Sequence, residues 1–385
     1  MKNIIFCADG TWNSPNQDED KDGVPDPTNV FKLFVTLAGH PVAGSILLAK
    51  EQETELSEGP AKIQVAKYIH GVGDSSNAIG RLIGGAFGSG LISRIVRGYT
   101  YISRHYEPGD NIVIVGFSRG AYTARALAGL IAAKGLLRDA TENDKEGAYR
   151  RGAQAWYQYR HDCLSKNRKF DILARLGEAI ADLPAFVSQN SLKKEDFVQL
   201  TAPIGAVAVW DTVGSMGIPA YHRDARSDTF KFINNDLSPE IKVGLHAIAL
   251  DEQRVDFAPT LWNARAGVTQ MVFPGAHADV GGGYPQAGLS DAALQWMIEQ
   301  LSTLTPPILF QNPGPLAFKP DFKGDAHEPW NMDPWNVLHP RVALRELDQA
   351  KFKLLAHPSI DQRRQAGNVR ANPGEPGKYD PKNWR

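Results

Sequence analysis

The sequence predicts an α/β fold built on a mostly parallel central sheet. Two observations carry this: short apolar runs bounded by glycine, proline or aspartate, and helical patterns lying between them. A third sets the scale, because 385 residues with 42% hydrophobic and 22% charged content can bury a large core and do not resemble a disordered chain.

The first strand is expected over Asn3–Ala8, followed by Ile63–Ile69, Asn111–Val115, Ile204–Trp210 and Thr269–Phe273, the last closed by Pro274 and Gly275. Their nearly continuous apolar character marks strands covered on both faces, as in a parallel sheet. Helices are expected over Leu91–His105, Ala121–Ala133, Pro239–Leu250 and Asp291–Leu301, with Ser238 and Ser290 standing where N-caps belong. Parallel neighbours need such crossover helices between them. Residues 136–200 break the rhythm with polar, charged and aromatic residues, including Trp156, Tyr157 and Tyr159, and read as a helical cap inserted into a main domain of residues 1–305. From Pro306 the chain turns rich in Pro, Gly and Trp, so residues 306–385 read as an extension packed on that domain and ending in a loose tail.

A formal net charge of −1 provides no field to collect nucleic acid, which is not expected as a partner. Two cysteines, Cys7 and Cys163, are too few for a disulfide framework and point to a reducing compartment. The apolar run at the N-terminus ends by Asp9, too short for a cleavable signal peptide, and no stretch approaches the roughly 20 apolar residues of a transmembrane helix. The expectation is a chain made soluble in the cytoplasm, with any other destination reached by a different route.

The sharpest chemical signal is Gly116, Phe117, Ser118, Arg119 and Gly120, set directly between the strand ending at Val115 and the helix opening near Ala121. An ordinary strand-to-helix turn can carry the same GxSxG pattern by chance. With a strand before it and a helix after it, the pattern is the nucleophile elbow of an α/β-hydrolase fold, which presents a serine hydroxyl at the sheet edge. That hydroxyl is a weak nucleophile and needs a histidine base oriented by a carboxylate, and in this fold the order along the chain is serine, acid, histidine. Asp211, at the end of Ile204–Trp210, is the first candidate acid, and His277, just past Thr269–Phe273, is the candidate base. Asp279 is the alternative acid and Asp251 a further carboxylate nearby, while His246, inside the predicted Pro239–Leu250 helix, reads as a core or helix-face residue. The oxyanion needs backbone donors: the N–H of Arg119 and one from the loop after the first strand, Gly10 or Thr11. A plain turn would use the same loop residues, and the rival loop His70–Asp74 follows a strand one place too close to the elbow.

Asp18, Asp20, Asp22 and Asp26, with Gly23 between them, have the alternating carboxylates of a calcium loop. The match covers the first half of an EF-hand pattern only, since position twelve is Asn29 rather than glutamate; a solvated acidic loop is the simpler alternative. Structural calcium is the one cofactor in question, and none is required for the chemistry. The glycine-rich apolar stretch 79–88 and the aromatics Phe318, Phe322, Trp330 and Trp335 would line an acyl pocket, meet an interface, or simply pack in the core.

Several blocks taken together resemble a known family. They are Asp9–Asn13, Gly71–Gly73, Gly116–Ala121, Trp210–Val213, His246–Glu252 and His277–Tyr284, and in this order they are similar to the catalytic domain of type VI secretion phospholipase effectors and to a wider hydrolase family sharing that domain. The resemblance runs from residue 3 to about 300. It implies a serine hydrolase acting on fatty-acyl esters of phospholipids, with Ser118 as nucleophile, Asp211 as acid and His277 as base. It also implies delivery by type VI secretion, transient contact with a membrane surface, and an immunity protein or secretion component as partner. The effectors are often longer, with an added membrane-interacting region, and this chain largely ends after the catalytic part. An esterase acting on a small soluble acyl ester, and a non-catalytic binding module on the same scaffold, are the two alternatives the sequence leaves.

Overall fold

A computed structural model describes residues 1–10, 13–43, 51–71, 87–166, 191–213, 235–311, 314, 318–333, 335–338 and 340–384. A nine-stranded sheet runs through its centre. In chain order the strands are β1 (Asn3–Ala8), β2 (His40–Pro41), β3 (Glu51–Glu58), β4 (Ala61–Ile69), β5 (Asn111–Phe117), β6 (Ile204–Trp210), β7 (Ile241–Ala249), β8 (Val268–Phe273) and β9 (Leu354–Ala356). Across the sheet they lie β9-β8-β7-β6-β5-β1-β4-β3-β2, parallel from β9 to β4, with β3 and β2 added antiparallel at the far edge. This is the expected α/β architecture.

Strand register decides where chemistry can occur. Ala8 pairs with Gly116, Phe117 with Trp210, Trp210 with Ala247, and Ala249 with Phe273. The loops after β1, β5, β6, β7 and β8 therefore leave the sheet at one carboxyl edge, where open α/β sheets place their sites.

Alternate side chains of each strand enter different cores. Ile4, Phe6 and Ala8 face one layer, with α2 (Phe87–His105), α3 (Arg119–Lys134) and α4 (Lys145–Lys166); Ile5 and Cys7 face the other, with α1 (Asn29–Thr36) and α6 (Gly288–Ser302). In α2, Leu91, Ile95, Tyr99 and Ile102 recur at helical spacing and form its buried stripe. The described part of the inserted cap is α4, with Trp156 fully buried, together with a short pairing of Leu136–Leu137 against Phe197–Val198.

One expected helix is a strand. Pro239–Leu250 contains β7, the partner of both β6 and β8, and Ser238 only closes a turn by accepting the N–H of Ile241. A fully buried strand reads as a continuous apolar run, which periodicity cannot separate from a buried helix. The slot between two parallel strands decided the outcome. His246 consequently sits on a central strand.

The chain after residue 306 returns to the sheet as β9, and the last residues, expected to be loose, are tied down. Asn383 Nδ2 donates to the carbonyl of Leu250 at 3.0 Å, and Trp384 is buried with Ile248, Leu250, Leu347, Leu354 and Ile360. Truncating so large a buried ring leaves a cavity. Trp384→Ala is expected to lower stability by about 3 kcal/mol, read as a shift in the urea midpoint at unchanged slope.

Candidate active site

Ser118 follows β5 at φ 57° and ψ −120°, a left-handed conformation rare for a residue with a side chain. Such a conformation costs on the order of 1–3 kcal/mol, and close packing holds it here. A Cβ on Gly116 would run into the Gly120 carbonyl, one on Gly120 into the Ala8 carbonyl, and one on Gly10 would lie 3.3 Å from Ser118 Cβ. Glycines therefore let β1, β5 and α3 approach closely enough to fix the turn. The Ser118 N–H donates to the carbonyl of Trp210 at 3.1 Å, which ties the elbow to the end of β6.

Asp211 leaves that same strand end, at φ 35°, fully buried. His277 opens α5 (His277–Gly281), and its Nδ1 lies 2.6 Å from Asp211 Oδ2. With the carboxylate ionised, Nδ1–H is the donor, which leaves Nε2 as an acceptor. Nε2 is buried and makes no hydrogen bond among the described residues. The imidazole is clamped between Phe117, 4.6 Å away between ring centroids, and the edge of Phe257 at 5.0 Å. Burial lowers the His277 pKa below the ordinary imidazole value, and the Asp211 hydrogen bond and charge offset this only in part.

Sequence reasoning missed what holds this pair. Arg345 donates to both Asp211 oxygens, at 2.7 Å and 2.8 Å, and to the carbonyls of Ala249 and Phe257, each at 2.6 Å. Burial alone would push the Asp211 carboxyl up, but the Arg345 charge and the bonds from His277 and Arg345 outweigh it and hold it far below the usual range. The His277 N–H donates to Glu252 Oε2 at 3.2 Å, and Glu252 is locked to Arg254 by bonds of 2.8 Å and 2.7 Å. Neither partner has a motif, and Arg345 lies 134 positions from Asp211.

The alternative acid does not serve His277. Asp279 Oδ1 bonds His327 Nδ1 at 2.6 Å, while Oδ2 accepts the N–H groups of Ala276 and His327, each at 2.8 Å. This second His–Asp couple, with Tyr284 stacked 3.8 Å from the His327 ring, ties α5 to the C-terminal segment. Asp251 accepts from Gly275 N at 2.6 Å and Tyr379 Oη at 2.9 Å and so braces the turn before His277. His246 is a buried core residue whose Nε2 accepts the Thr212 N–H at 3.1 Å; burial, reinforced by the Arg125 charge, lowers its pKa to about 3 and keeps it neutral.

Gly10 needs a correction as an oxyanion donor. Its N–H is directed to Asp9 Oδ1 at 2.7 Å, and an amide held by a carboxylate is not aimed at a second oxygen. Asp9 is itself buried, accepting from Thr28 Oγ1 and Tyr68 Oη, and burial raises its pKa to about 6 against those bonds. Thr11 lies outside the described residues, as do residues 72–86, which hold the rest of the rival loop and most of the glycine-rich stretch. Arg119 opens α3 beside Ser118, which puts its N–H at the positive end of that helix.

In the acidic loop the carboxylates of Asp18, Asp20 and Asp22 lie within 4.8 Å of one another and could hold a hard cation. Asp26 does not join them: it is buried and accepts the Glu19 N–H at 2.8 Å. Asn29 turns inward too, donating to the carbonyls of Val280 and Ser290. Of the single aromatics, Trp330 is buried and Trp335 lies under the Arg254 guanidinium, 5.4 Å from it.

A parallel sheet with a serine on a strained elbow after β5, and an imidazole oriented by a buried carboxylate at the same edge, places this chain in the α/β-hydrolase fold class. Residues 2–300 match the type VI secretion system phospholipase effector Tle1-like catalytic domain, and the chain belongs to that family. A 150-residue stretch is 30% identical to the uncharacterised protein YEL023C of Saccharomyces cerevisiae, covering 35% of this chain and 18% of that one. Among solved structures, a Pseudomonas aeruginosa protein is similar at 16% identity and a TM-score of 0.43, over 84% of this chain and 49% of that one. The Tle1 effector bound to the VgrG spike of the type VI secretion system is similar at 16% identity and a TM-score of 0.37, over 75% of this chain and 52% of that one. The chain spans about half or less of each of these relatives.

The Glu252–Arg254 pair sets a pH-dependent expectation. The Arg254 charge and hydrogen bonds, acting against burial, bring the Glu252 pKa down from 4.5 to about 2. A depressed carboxylate contributes stability that is present above its unfolded value and is lost as pH falls from about 4.5 toward 2. Glu252→Gln is thus expected to cost about 3 kcal/mol at pH 7, with the gap in Tm to the wild type narrowing as the pH is taken down to 3.

Proposed function

We propose that the protein is a serine esterase of the phospholipase type, cleaving fatty-acyl esters of phospholipids through an acyl-enzyme on Ser118. The observation that carries this is the 2.6 Å bond from His277 to Asp211, which leaves a buried imidazole nitrogen with no hydrogen bond among the described residues, at the sheet edge where Ser118 stands on a left-handed elbow. Membership of the phospholipase effector family supports the substrate class.

In this mechanism Ser118 Oγ attacks the acyl carbonyl carbon and its proton passes to His277 Nε2. Asp211 stabilises the resulting imidazolium without taking the proton. The oxyanion accepts from the N–H of Arg119, with the N–H of Thr11 as the second donor in place of Gly10. The alcohol leaves with the His277 proton, and water, deprotonated by the same nitrogen, releases the fatty acid. Delivery through type VI secretion, a secretion component or immunity protein as partner, and brief contact with a lipid surface belong to the same reading. No described helix is long and apolar enough to cross a membrane.

Calcium on Asp18, Asp20 and Asp22 would be structural. The loop it would brace runs between Gln17, which donates to the Gly283 carbonyl, and Thr28, which holds Asp9. Added calcium is expected to raise the Tm of the wild type by a few degrees and to leave the Asp18→Asn, Asp22→Asn double variant unmoved, as seen by calorimetry against EDTA-treated protein.

Hydrolysis of phospholipid vesicles and of p-nitrophenyl esters tests the chemistry, with Ser118→Ala as control. Vesicle turnover that falls by at least about 1000-fold in the variant is the expected result. Turnover of short soluble esters alone would instead identify a plain esterase, and equal rates in the two proteins would leave a binding module. Because the base must be neutral and burial lowers its pKa, the acid limb of kcat/KM is expected to have its midpoint below the ordinary 6.5.

A further inference from the structure

Beyond the residues that would touch substrate, the site contains a buried cation that the family match does not reach. We propose that Arg345, outside the matched residues 2–300, is a positioning residue for ester hydrolysis, fixing the Asp211 carboxylate so that Oδ2 meets His277 Nδ1. The inference rests on the reading of Ser118, His277 and Asp211 as the reacting set.

The geometry is that of a fork on a fork. One terminal nitrogen of Arg345 bonds Asp211 Oδ1 and the Ala249 carbonyl; the other bonds Oδ2 and the Phe257 carbonyl. Oδ1 is further held by the Ala249 N–H at 3.0 Å, so the carboxylate plane is fixed at both oxygens. A planar guanidinium with several donors can do this, whereas a lysine ammonium supplies the charge without the fork. The anchoring carbonyls come from the end of β7 and from beside the ring of Phe257, which itself packs edge-on against His277. The same side chain therefore registers acid, base support and C-terminal segment together.

Charge leads to a further consequence. Asp211 has no access to solvent, and Arg345 and His277 are the ionisable side chains bonded to it. Among the described residues, Glu252 and Arg254 act on His277, and His246, itself under the charge of Arg125, faces Asp211 and Arg345. Glu252 is closed in its own pair with Arg254, and burial keeps His246 neutral. Without the Arg345 charge, Asp211 would either take up a proton and stop orienting the imidazole, or hold the imidazole protonated. Either change moves the acid limb of the reaction to higher pH.

The test uses the full chain with Arg345→Lys and Arg345→Met, each checked for folding by circular dichroism and Tm. Ser118 labelling by a fluorophosphonate probe is followed from pH 5 to 9, together with kcat and KM on a p-nitrophenyl ester. Expected for folded Arg345→Lys is a loss of about 10- to 100-fold in labelling rate and kcat, with KM within about threefold. In folded Arg345→Met, which removes the charge as well as the fork, the acid limb should rise by about half a pH unit or more. In an Asp211→Asn background, where the carboxylate is already gone, Arg345→Lys should cost less than about twofold further. A folded Arg345→Lys with the wild-type labelling rate overturns the proposal, as does a folded Arg345→Met with the wild-type pH profile, or full additivity of Arg345→Lys with Asp211→Asn. A loss confined to KM or to Tm also overturns it. A wild type that the probe never labels at Ser118 overturns the hydrolase reading itself, a result distinct from a labelled wild type with an indifferent Arg345.

Discussion

A carboxylate with no access to water is the constraint on which this site is built. An isolated charge in such a place would cost several kcal/mol, so Asp211 stays ionised only because Arg345 and His277 close around it. The consequences spread outward. The bond to His277 selects the tautomer that leaves Nε2 as an acceptor, and the fork from Arg345 draws a segment from far along the chain down over the ends of β7 and the Phe257 turn. A buried ion pair is poor evidence of stability by itself, since its desolvation cost rivals its attraction. Here its value is orientation.

The elbow depends on a different constraint, that of space. Three backbones meet where β1, β5 and α3 converge, and only residues without a Cβ fit at Gly116 and Gly120. That crowding holds Ser118 in a conformation it would leave if free. Close approach also explains why the loop after β1 is well placed to serve the serine: Gly10 lies against it, and Asp9 anchors the loop through Thr28 and Tyr68. The carboxylate that steadies the loop also occupies the Gly10 amide.

Around Ser118, Asp211 and His277 runs a ring of similar devices, each an acid that accepts a backbone N–H and pairs with a second side chain. Asp279 caps the start of α5 and pairs with His327; Asp251 braces the Gly275 turn and pairs with Tyr379; Glu252 holds the His277 amide and pairs with Arg254. Arg345, His327 and Tyr379 all come from beyond residue 306. The C-terminal segment is thus woven into the support of the site and contributes β9 to the sheet.

What the sequence determined by itself was whatever is encoded locally. Short apolar runs placed β1, β4, β5, β6 and β8, and the glycines around Ser118 marked the elbow because the turn needs them wherever it occurs. Asp211 and His277 stood out because Asp211 directly follows a strand and His277 comes four positions after the end of another, and parallel strands deliver such residues to one edge. The tertiary structure alone decided the rest. Pro239–Leu250 became β7 because it fills a slot between two strands, a fact absent from its own residues. Asp279 went to His327 and Asp211 to His277 because direction and distance choose among carboxylates that look alike in sequence. Arg345 could not be read beforehand, since the need for a cation follows from burial, and burial is a property of the folded chain rather than of any residue in it.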